Sequence, residues 1–282
     1  MLDLTRPDGS EPQDFHVTRR TATSLFFAGY ALAAVSAEAA PITTPTAGLT
    51  IDEVMVPNGD AKPLPAYVAR PKGNGHHPAV IVVNEIFGVH AYIKDICHRL
   101  AAAGYAAIAP DFFYRSGVDL PALTDIKQIM PIVQQASIEQ VDGDVRATSV
   151  WLKAQPFVKP AAIGITGFCW GGAVAWRAAM VDPDVKAAVA WYGQLKPLIA
   201  RAGEVKVPVL GLYGAQDQGI TQEDIAAMQT ALKTAGNTTA QIKVYADAGH
   251  GFHADYRASY NEADAKDGWA RALAWFKAHA VA

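Results

Sequence analysis

The chain has 282 residues, 51% hydrophobic and 18% charged, enough for one large domain with a substantial core. A formal net charge of −3 without any basic cluster gives no footing for nucleic-acid binding. The two cysteines, Cys97 and Cys169, form no CxxC pair and lack His/Cys zinc spacing, so neither a disulfide framework nor a zinc site is expected.

Arg19 and Arg20 precede an uncharged run from Thr21 to Ala37, and Ala37-Glu38-Ala39 is a small-x-small cleavage pattern. The apolar stretch is too short and too polar for a membrane span. It resembles a twin-arginine export signal, from which Ala22 and the early acids Asp3, Asp8, Glu11 and Asp14 depart. Residues 1–39 are therefore expected to direct export to the periplasm, the alternative being a tail on a cytoplasmic enzyme. Residues 40–48, rich in Pro, Thr and Gly, read as a linker. Residues 49–282 read as a single domain.

Within that domain, residues 51–56 alternate as an edge strand, with residues 65–70 as hairpin partner across Asn58-Gly59-Asp60. Residues 79–84 form a continuous apolar run, the mark of a strand covered on both faces. A helix over 91–103 follows, with Cys97 filling core and Gly104 suited to its end. Residues 105–109 are the next buried strand. Residues 119–135 look helical but broken by Pro131, and read as an inserted cap beside the site. A helix over 138–153 carries Val141, Val145, Val150 and Leu152. Further strands are expected over 161–166, 186–191, 207–213 and 240–245. Between the last two lies a helix whose start at Thr221 and Asp224 fits a capping box. The final helix, from Glu262 to about Ala280, is expected to bury Trp269, Leu273 and Phe276. Alternating strands and helices predict an α/β fold, a mostly parallel sheet flanked on both faces.

The chemistry centres on Gly167-Phe168-Cys169-Trp170-Gly171, which joins a buried strand to a helix. This is the nucleophile elbow G-x-S-x-G with cysteine in place of serine. Its glycines are needed because a Cβ there would strike neighbouring backbone. A thiol at a helix N-terminus feels positive dipole and free N–H groups, which favour the thiolate. Reactive loops in such sheets gather at the carboxyl ends of the strands. After strand 207–213 the one loop acid is Asp217, and after strand 240–245 comes His250. Nucleophile, acid, histidine is the chain order of α/β-hydrolases. Cys169 would attack an ester carbonyl, His250 would shuttle the proton, and Asp217 would fix the imidazole. The oxyanion would take the backbone N–H groups of Trp170 and Ile86. Glu85, an acid at the end of a doubly covered strand, needs a partner.

Taken together, Glu85-Ile-Phe-Gly88, Pro110-Asp111 with Tyr114-Arg115, Gly167-x-Cys169-x-Gly-Gly172, Trp191-Tyr-Gly193, Asp217 and Gly249-His250-x-Phe252 resemble the dienelactone hydrolase family. The resemblance covers roughly Leu49 to the C-terminus. It implies an α/β-hydrolase fold, no cofactor or metal, and hydrolysis of a lactone or enol ester bearing a carboxylate (carboxymethylenebutenolidase activity). It further implies that Glu85 gates the ionisation of the thiol and that Arg115 binds the substrate carboxylate. The family's second substrate arginine, four residues after the catalytic histidine, is here Ala254; His253 or Arg257 is available in its place. Phe87, Phe112, Trp170, Tyr192 and Phe252 are candidates to line an apolar pocket. The resulting reading is a cysteine-dependent hydrolase of a small-molecule ester or lactone. The alternatives are a broad carboxylesterase and a ligand-binding or thiol-sensing protein on the same fold.

Overall fold

The computed structural model describes residues 41–282, so the expected export signal lies outside the described residues. Eight strands form one sheet in the order β1-β2-β4-β3-β5-β6-β7-β8. The strands are β1 (Leu49–Val56), β2 (Leu64–Pro71), β3 (His77–Val83), β4 (Ala106–Pro110), β5 (Val158–Phe168), β6 (Val185–Trp191), β7 (Val209–Gly214) and β8 (Gln241–Tyr245). β1 pairs with β2 and β2 with β4 antiparallel, and every later pairing is parallel. This is the mostly parallel sheet expected from the alternation of elements, in keeping with the α/β-hydrolase fold that the resemblance implies.

Among the described residues six α-helices complete the layers: α1 (Ala91–Ala102), α2 (Ile126–Gln135), α3 (Ile138–Lys153), α4 (Trp170–Val181), α5 (Gln222–Thr234) and α6 (Glu262–Ala278). α1 packs on β2 and β4, α3 and α4 on β5, and α6 on β6 and β7. Ala79 to Val83 of β3 are wholly buried because both faces of the sheet are covered there, which is why that run lacks alternation. Among the described residues no helix is long and apolar enough to cross a membrane.

Three local expectations are revised. The interruption in 119–135 falls at residues 123–125, between a short 3-10 turn (Leu120–Ala122) and α2, and not at Pro131. Asp125 sets the start of α2 by accepting the Lys127 N–H, and Pro131 is exposed, so water can serve the carbonyl its missing N–H leaves free. On α3, Val141, Val145 and Leu152 are buried as expected, but Val150 is 57% exposed. α6 buries Ala265, Gly268, Ala272, Trp275 and Phe276, whereas Trp269 and Leu273 sit half-buried at its flank. Gly268 packs where a Cβ would lie 2.6 Å from the Trp191 ring, so small residues bring α6 close to the sheet and rotate its buried face. The capping box at Thr221 and Asp224 is present in both directions.

Candidate active site

β5 ends at Phe168, and α4 begins at Trp170, leaving Cys169 alone to make the turn with φ 58° and ψ −116°. A non-glycine residue in that region is strained, and such strain persists only where the surroundings fix it. Cys169 N–H donates to the Trp191 carbonyl at 3.0 Å, anchoring the turn to β6. A Cβ on Gly167 would lie 2.0 Å from the Gly171 carbonyl oxygen, and one on Gly171 would lie 2.4 Å from that of Val83. The glycines therefore let the turn close against β3. Cys169 is fully buried, as is Cys97, which fills core under α1.

The parallel register brings the ends of β5, β7 and β8 to the same side of the sheet. His250 Nδ1 lies 2.7 Å from Asp217 Oδ2, while Asp217 Oδ1 accepts the N–H groups of Gly219 (2.8 Å) and Ile220 (3.1 Å). The loop thus fixes one carboxylate oxygen and turns the other to the imidazole. Cys169 lies close enough to His250 to act on its titration. Burial pulls the His250 pKa down, but negative charge on Cys169 and Asp217 outweighs it and raises it to about 10. Tyr192, at φ 39°, sets its ring edge-on to the imidazole at 5.1 Å.

At the end of β3, Glu85 is wholly buried and fully engaged. Arg257 Nη2 lies 3.1 Å from its Oε1, and the Tyr256 hydroxyl donates to its Oε2 at 2.5 Å. His90 Nε2 approaches the same oxygen at 3.7 Å. Burial alone would raise the Glu85 pKa; Arg257, His90 and Tyr256 overcome that and bring it to about 2. The Arg257 guanidinium also stands over the Phe87 ring, 5.1 Å from its centre. Beside these residues Ile86, Phe113, Leu120, Ile129, Met130 and Val133 form a small apolar cluster apart from the main core, with Phe87 and Trp170 packed on it. The 119–135 insertion is thus a cap next to the elbow.

Comparison with known proteins agrees with this geometry. The family model described as "Dienelactone hydrolase family" matches residues 64–280. The chain belongs to the dienelactone hydrolase family. It is 45% identical over 279 residues to a Methylorubrum extorquens protein named "Putative carboxymethylenebutenolidase", covering 94% of each chain. An Escherichia coli K12 protein of the same name is 44% identical over 261 residues, covering 88% of this chain and 94% of the relative. Among solved structures, a "Putative Dienelactone Hydrolase" of Klebsiella pneumoniae superposes with a TM-score of 0.77 at 44% identity, covering 81% of this chain and 98% of the other. Membership in this family makes the protein a carboxylic ester hydrolase with the α/β-hydrolase fold.

Against the family pattern, the expected substrate residues divide. Arg115 is engaged inside the fold. Its Nη1 and Nη2 donate to the two oxygens of Asp144 at 2.6 and 2.8 Å, and its Nε to Asp60 at 2.6 Å. All three nitrogens already donate to carboxylates, so the fork serves an internal ion pair. Phe252 is wholly buried between the rings of Trp191, Tyr192 and Tyr245, which makes it core behind the site and not lining. Phe112 is also buried, 6.0 Å from Trp170. His253 is a core histidine, its Nδ1 2.6 Å from the Tyr92 hydroxyl, with burial lowering its pKa to about 3. Of the two replacements for the second arginine, Arg257 is the one beside Glu85. Phe87, Trp170 and Tyr192 are at the site.

Tyr256 and His90 were not read from the sequence. Neither belongs to a motif; Tyr256 reaches Glu85 from the loop after β8, whereas His90 approaches it from the same loop after β3. Among the described residues, no group of three or more His, Cys, Asp or Glu side chains is placed to hold a metal ion.

Proposed function

We propose that the protein hydrolyses a lactone or small carboxylate-bearing ester through an acyl-enzyme on Cys169. The supporting observation is the His250 imidazole held by Asp217 at 2.7 Å, with Cys169, strained at the apex of the elbow, among the groups that act on the ring's titration. In this reading the Cys169 proton passes to His250 as the sulfur engages the substrate. The sulfur attacks the carbonyl carbon, and His250 gives its proton to the departing oxygen. The same ring, now neutral, removes a proton from the water that releases the acid. Asp217 holds the ring tautomer and balances its charge in both halves.

The developing oxyanion would take the N–H of Trp170, in the first turn of α4 where helical geometry leaves amides without intrahelical acceptors. The second donor would be the Ile86 N–H, in the turn closed by the Gly88 N–H to the Glu85 carbonyl. Arg257 is the proposed anchor for the substrate carboxylate in place of Arg115. Its Nη1 has no hydrogen-bond acceptor and is buried beside the site. An incoming carboxylate would share the guanidinium with Glu85. Phe87 and the cap would cover the apolar part of the substrate.

Incubation with matched lactones, with and without a carboxylate, tests both halves of the reading. Intact-mass measurement should find the acyl group on Cys169, and the acidic lactones should be preferred. Turnover without any adduct, persisting in Cys169→Ala, would overturn the mechanism. Indifference to the carboxylate would favour a broad carboxylesterase.

A further inference from the structure

Helix α1 holds the stretch that carries His250 and Arg257 at two points. Tyr92 and Arg99 stand two turns apart on one face of the helix. The Tyr92 hydroxyl meets His253 Nδ1 at 2.6 Å, and Arg99 Nη2 donates to Asp255 Oδ2. Arg99 also donates through Nε to Asp95 Oδ2 at 2.6 Å, so one guanidinium ties two carboxylates. Asp95 and Asp255 side chains are 8% and 2% exposed, and that of Arg99 is 15% exposed.

Asp95 also holds the chain ahead of β1. Its Oδ1 accepts the Thr44 N–H at 2.5 Å. The segment read from sequence as a linker is therefore strapped across α1. Asp255 cannot shift alone, because Ala254 N–H bonds the Gly251 carbonyl at 2.9 Å and Arg257 N–H bonds the Ala254 carbonyl at 3.0 Å. Asn261 N–H closes the stretch onto the Phe252 carbonyl at 2.9 Å. A displacement of Asp255 is thus carried to His250 on one side and Arg257 on the other. Two buried acids on one base are a costly way to secure a loop for stability alone, since well-packed apolar residues generally do so at least as well. What the network adds is direction.

We propose that Arg99 and Asp255, with the bond from Thr44 to Asp95, are positioning residues that set where His250 and Arg257 stand relative to Cys169. The proposal rests on Cys169 and His250 being the reacting pair.

Alkylation of the full chain by iodoacetamide, which is neutral, and by iodoacetate, which is anionic, reads the positioning without turnover. In each case the sulfur forms a bond to carbon and iodide leaves. The ratio of the two rates reports the positive charge that His250 and Arg257 hold beside the sulfur. In Arg99→Ala and Asp255→Ala the iodoacetate-to-iodoacetamide ratio should fall about fivefold and kcat/KM on the order of 10²-fold, as for groups misplaced by about 1 Å. Arg99→Lys, keeping the charge but not the fork, should recover part of both. Thr44→Pro, which removes the N–H that Asp95 accepts, should show the same loss in smaller measure. Cys97 is the internal check on folding, because it stays unreactive while the core is intact. If the alanine variants expose Cys97, the near-isosteric Asp255→Asn and Arg99→Lys carry the comparison. An unchanged ratio and kcat/KM in folded variants, whatever their Tm, would overturn the proposal. Absence of selective Cys169 alkylation in the unaltered protein would instead overturn the reading of the site.

Discussion

The Arg257 guanidinium meets the Glu85 carboxylate at 3.1 Å, with the two side chains 1% and 0% exposed. Removing one member of such a pair leaves the other buried without compensation. Arg257→Met should therefore lower stability by about 3–5 kcal/mol, and adding Glu85→Gln should restore much of it. Urea unfolding of the two variants checks this. The pair also sets an acid dependence. Because the folded Glu85 pKa lies below the ordinary glutamate value of 4.5, its stabilisation is fully present above that value and is lost as pH falls through about 2. The decline of Tm over that window should be shallower in Glu85→Gln than in the unaltered protein.

His250 gives the opposite sign. Its folded pKa is raised from 6.5 to about 10, so its contribution to stability is complete below 6.5 and disappears as pH rises through about 10. The imidazolium that donates to the leaving oxygen should accordingly persist through neutral pH, and kcat/KM should fall only toward about 10. Asp217→Asn removes one of the charges that raise the ring, and its alkaline limb should move to lower pH. A pH-rate profile of both proteins measures the shift.

Arg115 and Arg257 separate structural from substrate roles. Arg115→Ala should leave KM for an acidic lactone within about twofold, yet cost about 1–3 kcal/mol, since Asp144 is 2% exposed and loses its forked partner. Arg257→Lys should raise KM for acidic lactones while leaving neutral ones nearly unaffected. Steady-state kinetics with the two substrate types distinguish these outcomes.

Cys169→Ala should reduce turnover by about 10⁴-fold or more, the scale seen when a nucleophile is removed from a coupled catalytic group. Far-ultraviolet circular dichroism should be unaltered, since the turn is fixed by glycines and by the Cys169 N–H bond to Trp191.

The sheet and the elbow were legible because their signals are local. The unbroken run at 79–84 reports burial on both faces, and the glycines of 167–172 report backbone crowding within a few residues. Asp217 and His250 were legible from chain order, since each follows a recognisable strand. The partner of Glu85 was not: that a buried acid needs one follows from its position, but Arg257 and Tyr256 reach it only through the order of the strands. Arg115 shows the reverse case. A fork of donors beside a site suggests an anion, and nothing near it in sequence announces that Asp60 and Asp144 already engage all three of its nitrogens. The buried face of α6 was misjudged because apolar spacing overlooked Gly268, whose value lies in having no side chain.

Cys169 has no exposed surface. Any molecule that reaches the sulfur must enter as neighbouring side chains swing aside, and a peroxide needs the same opening as an ester. Admission of substrate and shelter from oxidation are thus one property of the fold. A mutation that loosens the covering residues to speed entry should shorten the working life of the enzyme in an oxidising compartment.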